Sequence, residues 1–228
     1  MTDMANAKGM PRVRHPEISL PALRAYEGEA GPSALEPDGD HDGLEFADLD
    51  LGGADGAGSR FLECAVRRCG LEGAGLERSR FIDSVLEDVW GVGTDLAGVE
   101  LRDVEMSDAR LGGTKLHGAR LTRVRIQGGK IDYLNARQAR LKDVSFEGCV
   151  LIEPDFGGAT LERVSFDGCV LRGAELSQAT LHDVDLRGVV ELDIASGLDR
   201  LSGAVISTAQ LMELAPAFAA QLGVRIEG

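Results

Sequence analysis

Residues 141–171 read LKDVS FEGCV LIEPD FGGAT LERVS FDGCV L. Leu or Phe returns at every fifth position of this stretch, and a smaller residue lies two positions before each later one. This period fits neither an α-helix, with about 3.6 residues per turn, nor a strand, whose side chains alternate with a period of about 2. It fits a chain that turns a corner every five residues and points the same two side chains inward each time.

The same period extends in both directions, from Phe46 to Leu186. Of its 29 large positions, 26 hold Leu, Phe, Ile, Val or Met, and the exceptions are Gly56, Gly91 and Ala136. The position two residues earlier is Ala, Ser, Thr, Cys, Val or Gly in 25 of the 29 repeats. The two inward side chains of successive repeats therefore predict one continuous core.

Individual repeats resemble those of the pentapeptide-repeat family. Residues 119–123 (ARLTR) and 174–178 (AELSQ) are similar to its A(D/N)LXX pattern, and the register holds from residue 44 to 188. The resemblance implies an all-β fold, a right-handed quadrilateral parallel β-helix with four pentapeptides per coil. The 29 repeats then give about seven coils and, at ~4.8 Å between stacked strands, a rod about 34 Å long.

Three segments follow from this pattern. Residues 1–43 are rich in Pro and Gly and are predicted to be a flexible or capping N-terminal segment. Residues 44–190 form the predicted β-helix, and residues 191–228 a C-terminal strand and helix cap. Ser207 is a plausible helix N-cap.

The C-terminal helix has one apolar face. Leu211, Leu214, Phe218 and Leu222 recur at helical spacing. This face either closes the last coil or forms a dimer seam, and both roles remain open. Resemblance to the fluoroquinolone-resistance members of the family implies a homodimer through this helix.

Two features of the repeat concern its interior and its corners. All four cysteines occupy the small inward position, with Cys149 and Cys169 stacked twenty residues apart; the choice is between a disulfide and small buried filler, and filler is favoured. Glycine recurs two residues after the large position, which predicts corners with positive φ. At Ala136 the large residue is missing, and Leu134 is expected to fill its place.

Bulk composition excludes several classes of function. The net charge of −14 argues against direct binding to nucleic acid or to an anionic membrane. The sequence has no apolar stretch long enough to span a membrane and no signal-peptide pattern, so a cytoplasmic protein is expected. No spacing typical of a metal site, a cofactor site or a catalytic triad is present. We expect no metal, no cofactor and no enzymatic activity.

Function is therefore expected on the outer surface, where charge is banded. Residues 44–108 carry a net charge of −9, residues 110–142 of +8, and residues 143–188 of −6. Two predicted acidic rows are candidates for an interaction surface, with members Glu63, Asp83 and Asp103 in one and Asp55 and Asp95 in the other. Arg123 and Arg163 interrupt the first row, and Lys115 the second.

The acidic rows admit two interpretations. Some members of the family resemble B-form DNA in shape and charge and bind type II topoisomerases. The resemblance thus implies a protein partner, with DNA gyrase or topoisomerase IV as candidates, and protection from gyrase poisons. Alternatively, alternating charges one coil apart form ion pairs that stabilise stacking, and the rod is a scaffold for an unrelated partner.

Overall fold

The computed structural model of this chain describes residues 9–225. The described chain winds into a parallel β-solenoid of about 9 turns followed by a single helix. The predicted fold class is confirmed. Residues 1–8 of the predicted N-terminal segment and residues 226–228 of the C-terminal segment lie outside the described residues.

Two parallel sheets form the walls of the solenoid. The 12-stranded sheet contains β1 (Arg24–Ala25), β2 (Asp40–Asp42), β3 (Leu44–Ala47), β4 (Arg60–Leu62), β5 (Ala65–Arg67), β6 (Arg80–Glu87), β8 (Glu100–Ser107), β10 (Arg120–Gln127), β12 (Arg140–Glu147), β14 (Thr160–Asp167), β16 (Thr180–Asp185) and β18 (Ala204–Val205). The 6-stranded sheet contains β7 (Trp90–Val92), β9 (Arg110–Gly112), β11 (Lys130–Asp132), β13 (Val150–Ile152), β15 (Val170–Glu175) and β17 (Glu191–Ser196). Short 3-10 helices cover Gly31–Ser33 and Leu198–Arg200.

The register between successive strands is twenty residues through most of the rod. Leu121 pairs with Leu101 on one side and with Leu141 on the other. Each coil therefore uses four pentapeptides, as predicted. The register slips only near the C-terminal end, where Val170 pairs with Glu191.

Corners of the coil lie two residues after each large core position. From Asp48 to Asp183 every such residue has a positive φ, whether it is glycine or another residue. The predicted role of glycine is thus confirmed, and the corners extend to side chains such as Arg78 and Tyr133. The left-handed conformation costs a non-glycine residue roughly 1–2 kcal/mol, so packing and hydrogen bonds across coils must hold these corners.

Stacked side chains fill the interior. The rings of Phe61 and Phe81 are 4.3 Å apart and nearly parallel, and those of Phe146 and Phe166 are 4.7 Å apart. Leu134 is buried beside Ala136, which confirms the predicted exchange of large and small residues. All four cysteines are buried free thiols, so the interpretation as filler is confirmed.

The predicted count of about seven coils is too low, because the solenoid extends into both flanks. Strand β1 pairs with β3 although residues 24–43 lack the repeat, and β18 pairs with β16 at the other end. The Tyr26 ring stacks on Phe46 at 4.5 Å and continues its column. Open strand edges supply backbone hydrogen-bonding groups that pair with any extended segment laid against them.

Helix α1 (Thr208–Gln221) closes the far end. Ser207 accepts a hydrogen bond from the Gln210 amide and donates its own amide to Oε1 of Gln210, which confirms the predicted N-cap. The Gln210 side chain also donates to the carbonyls of Leu186 and Val189 in the last coil. Pro216 lies inside the helix without ending it. No helix within residues 9–225 is long and apolar enough to cross a membrane.

Candidate interaction surface

The interior offers little room for a substrate. One cavity of about 40 Å³ lies among Leu, Ile and Met side chains between Leu96 and Phe156, and another of about 20 Å³ lies near Leu176. Small-molecule sites are typically about 300–1,000 Å³. Within residues 9–225 no group of His, Cys, Asp or Glu is placed to hold a metal ion. The chemistry that a partner meets is therefore that of the outer side chains.

The first predicted acidic row lies along one corner of the coil, which we call the corner column. Its members, stacked twenty residues apart, are Gly43, Glu63, Asp83, Asp103, Arg123, Asp143, Arg163 and Asp183. Arg123 makes two hydrogen bonds to the carboxylate of Asp103 in the coil before it. The charge of Asp103 is therefore neutralised, whereas Glu63 and Asp83 have no ion pair within the described chain.

Asp143 is the most buried charge of the corner column. Its side chain is 3% exposed, and Arg163 donates to its two oxygens at 2.7 and 2.9 Å. Burial pushes the pKa of Asp143 upward, but the hydrogen bonds and positive charges of Arg163 and Arg14 outweigh it, so the pKa is lowered from the ordinary value. The carboxylate stays ionised and bound to Arg163 at neutral pH.

The lowered pKa makes a prediction about acid stability. The stability that ionised Asp143 contributes is present above the ordinary aspartate pKa and is lost as the pH falls through the lowered value. We expect Asp143→Asn to cost about 2 kcal/mol at neutral pH, because Arg163 loses the buried carboxylate to which it makes two hydrogen bonds and keeps only Glu162. The gap between the two proteins should narrow as the pH falls below the ordinary aspartate pKa, because protonated Asp143 is as neutral as Asn. Urea unfolding across pH measures it.

The control for this prediction is Asp183→Asn. Asp183 belongs to the same corner column but is exposed and has no ion pair within the described chain. This change should alter stability by less than about 0.5 kcal/mol at any pH. A gap for Asp143→Asn that stays constant through acidification would contradict the assigned linkage.

The acids of the second predicted row accept hydrogen bonds from backbone amides of their own turns. Asp55 accepts a hydrogen bond from the amide of Ala57, and Asp95 from that of Ala97, in turns of the Asx type. Lys115 also donates to Asp95 at 2.7 Å. Of the five candidate acids, Asp55, Glu63 and Asp83 have no ion pair within the described chain. Asp55 is exposed, Glu63 and Asp83 are half-buried, and the two rows do not form one face.

Ion pairs between coils account for most of the basic band at residues 110–142. Arg125 binds Glu147, Arg137 binds Asp155, and Lys142 approaches Glu162 within 3.3 Å. Because these pairs are partly exposed, each is worth at most about 1 kcal/mol. Their number supports the interpretation that alternating charges stabilise the stacking.

Five arginines between residues 44 and 190 form no ion pair, and the sequence did not reveal this. They lie on or beside the face whose large core positions are 81, 101, 121 and 141, and we call this surface the arginine face. Its members are Arg78, Arg80, Arg102, Arg120 and Arg140. All five side chains are exposed, and none has an ion pair within the described chain. Charge counting along the sequence cannot separate them from their paired neighbours.

Residues 14–21, which we call the N-terminal strap, contact the rod at two distant places. The Arg14 amide donates to Asp143 at 3.3 Å, whereas Pro21 lies against Gly43. Five coils separate these two points, or about 24 Å, which seven residues span only when nearly extended. The strap therefore lies along the corner column, and it accounts for the burial of Asp143.

The four residues of the predicted dimer seam on α1 differ in exposure. Leu214 is buried against its own chain, and Phe218 is half-buried. Leu211 and Leu222 are exposed. A seam through this helix stays a prediction, and Leu211 and Leu222 are the members that face outward.

Two family models match the chain, and both describe pentapeptide repeats. "Pentapeptide repeat region" matches residues 139–190, and "Pentapeptide repeats (8 copies)" matches residues 92–123. No curated protein matches.

Solved structures with the same kind of repeat are similar to the chain. HetL, a pentapeptide repeat protein involved in heterocyst differentiation regulation from the cyanobacterium Nostoc sp. strain PCC 7120, is 19% identical, with 75% of this chain and 90% of HetL covered and a TM-score of 0.36. A trypsin-treated variant of QnrB1, a plasmid-mediated fluoroquinolone resistance protein, is 17% identical, with 83% and 92% covered and a TM-score of 0.36.

Proposed function

Because this chain is a pentapeptide-repeat protein, we propose that it acts without catalysis, as a rod that binds a protein partner through its outer side chains. One observation carries this proposal: side chains fill the interior, and its cavities of about 20 and 40 Å³ are too small for a substrate. Proteins of this family are generally structural or binding proteins. A scaffold for an unrelated partner is the alternative to the specific partner proposed next.

The specific partner that we propose is a type II topoisomerase, DNA gyrase or topoisomerase IV, bound through acidic side chains that imitate DNA phosphates. Glu63 and Asp83 support it, because they stack one coil apart and have no ion pair within the described chain. The pairing of Asp103 and Asp95 narrows the proposal to the coils before residue 100. Such an interaction would protect the enzyme from gyrase poisons.

Two further properties belong to the same proposal. Leu211 and Leu222 are exposed on α1, and we propose that they pack against a second copy to form a homodimer. A topoisomerase partner also places the protein in the cytoplasm. Light scattering of the purified chain measures the proposed dimer directly.

A supercoiling assay tests the proposed partner. Wild-type protein should restore supercoiling by gyrase in the presence of a quinolone, and Glu63→Lys combined with Asp83→Lys should weaken this effect about tenfold, because two attractive charges become repulsive. The same titration with topoisomerase IV separates the two enzymes.

The matched control is Glu153→Lys. Glu153 is an acidic corner residue that, like Glu63 and Asp83, has no ion pair in the described part of the chain, and it lies on a different edge of the rod. Its reversal should leave the supercoiling assay unchanged. Wild-type protein without effect on either enzyme, with and without quinolone, would leave the scaffold as the function.

A further inference from the structure

Within residues 44–190, the arginine face is where cations lack an ion pair. Between residues 44 and 190 every other Lys and Arg forms an ion pair with a nearby acid. The exceptions are Arg78, Arg80, Arg102, Arg120 and Arg140. In a protein of net charge −14, this concentration on one face is a specific feature that the rest of the surface lacks.

Stability does not explain the arginine face. Arg120 and Arg140 are direct partners in neighbouring strands, as are Arg60 and Arg80. Neighbouring strands are ~4.8 Å apart, and like charges directly opposite each other destabilise a sheet. Arg120 has Glu100 on its other side, although the two form no ion pair within the described chain, whereas Arg140 has only Arg120 and Thr160 as strand partners. Arg120 and Arg140 therefore repel each other, and Arg140 has no acidic strand partner in return.

The surroundings of these arginines leave them accessible. Gly118 precedes Arg120 at the corner, and a side chain added there would meet no atom within 4 Å. Thr160 is the neutral strand partner of Arg140, and Thr122 is that of Arg102. The side chains of Arg120 and Arg140 are therefore exposed, and Arg120 lies beside an open corner of the coil.

We propose that the arginine face binds an acidic segment of a protein partner in an extended conformation. Guanidinium groups bind carboxylates through two parallel hydrogen bonds, and an extended chain presents carboxylates on one side at regular spacing. Glu100 lies between Arg80 and Arg120 in the same column, and the overall negative charge repels long polyanions, so a short acidic peptide fits better than nucleic acid. This inference rests on the proposed protein-binding role.

Fluorescence anisotropy with a labelled peptide of alternating Glu and Ser tests the inference. Wild-type protein should bind it at low ionic strength, and Arg120→Gln combined with Arg140→Gln should weaken binding about tenfold, as expected for two exposed ion pairs. The control replaces Arg110 and Arg172, which are exposed on the other sheet, by Gln and removes the same charge. It should weaken binding less than about twofold.

Each alternative outcome overturns the inference. Equal weakening by the control pair means that only total charge matters, and absence of peptide binding removes the site. Tighter binding of a labelled single-stranded oligonucleotide assigns the face to nucleic acid instead. Arg120→Lys with Arg140→Lys, which keeps both charges but not the paired hydrogen bonds, should give intermediate binding. A circular dichroism spectrum of the Gln variant that matches that of the wild type excludes misfolding as the cause of its loss.

The experiments can contradict the topoisomerase partner and the arginine face independently of each other. A rod that binds the acidic peptide but leaves gyrase and topoisomerase IV unaffected keeps its arginine face and loses the proposed topoisomerase partner. A rod that acts on gyrase equally well with Gln at positions 120 and 140, and that ignores the peptide, keeps the topoisomerase and loses the arginine face.

Discussion

Replacement of Phe146 by alanine is expected to destabilise the rod by about 3–5 kcal/mol. The side chain is 1% exposed, and its ring lies 4.7 Å from that of Phe166 in the next coil. The coils are held by neighbours on both sides, so they cannot collapse into the space that the ring leaves. The loss therefore includes both the apolar contacts and the cavity.

Urea unfolding followed by circular dichroism measures the effect. Phe218→Ala is the control, because Phe218 is the one phenylalanine outside the repeat and is only half-buried on α1. It should cost about 1 kcal/mol. Amide hydrogen exchange should show the loss for Phe146→Ala concentrated in β10, β12 and β14, since each coil contacts only its neighbours. A cost below about 1 kcal/mol would mean that the ring stack is not a tight part of the core.

Replacement of Gly91 by alanine should also destabilise the rod, by about 3 kcal/mol, although the repeat pattern predicts the opposite. Gly91 stands at a large core position, where most coils have Leu or Phe. A Cβ at this position would lie 2.6 Å from the carbonyl carbon of Leu71 and 2.8 Å from the nitrogen of Glu72. Both atoms are backbone and cannot move aside without breaking the pairing between coils. Thermal unfolding measures the cost.

Gly56 is the matched control for Gly91. It occupies the same kind of position, but its added Cβ would meet the side-chain ends of Leu35 and Leu76, each at 3.0 Å. Flexible side-chain ends give way, so Gly56→Ala should change stability by less than about 1 kcal/mol. Equal effects at the two glycines would show that the backbone approach at Gly91 does not decide the choice of residue.

The same two glycines show how far the repeat predicts the structure. Period five located the coils from Phe46 to Leu186, because inward side chains must recur wherever a core is continuous. The five-residue period identifies Gly91 and Gly56 equally as positions where the large core residue is missing. It carries no information on how closely the backbones of two coils approach. The coils at residues 24–43 were missed for a related reason: backbone hydrogen bonds to an open edge hold them, and these require no particular side chain.

The surface was predicted less completely than the core. Stacking at twenty residues placed Glu63, Asp83 and Asp103 in one column, because column membership depends only on the register. Which acid is neutralised depends on whether an arginine side chain extends toward the coil before it, toward the coil after it or along its own coil. The register does not determine this direction. The contact of Arg14 with Asp143 joins residues 129 positions apart through an extended segment, and no local pattern records it.

The twenty-residue register has a consequence for how such a chain tolerates insertion and deletion. Loss of one whole coil shortens the molecule but keeps each remaining residue on its own side, so distant patches draw together without rotating. Loss of a single pentapeptide instead turns everything beyond it by one side of the square. Binding to a partner that contacts two sites along the rod should therefore tolerate changes of length only in whole coils. Any smaller change would move one of the two sites to a different side of the rod.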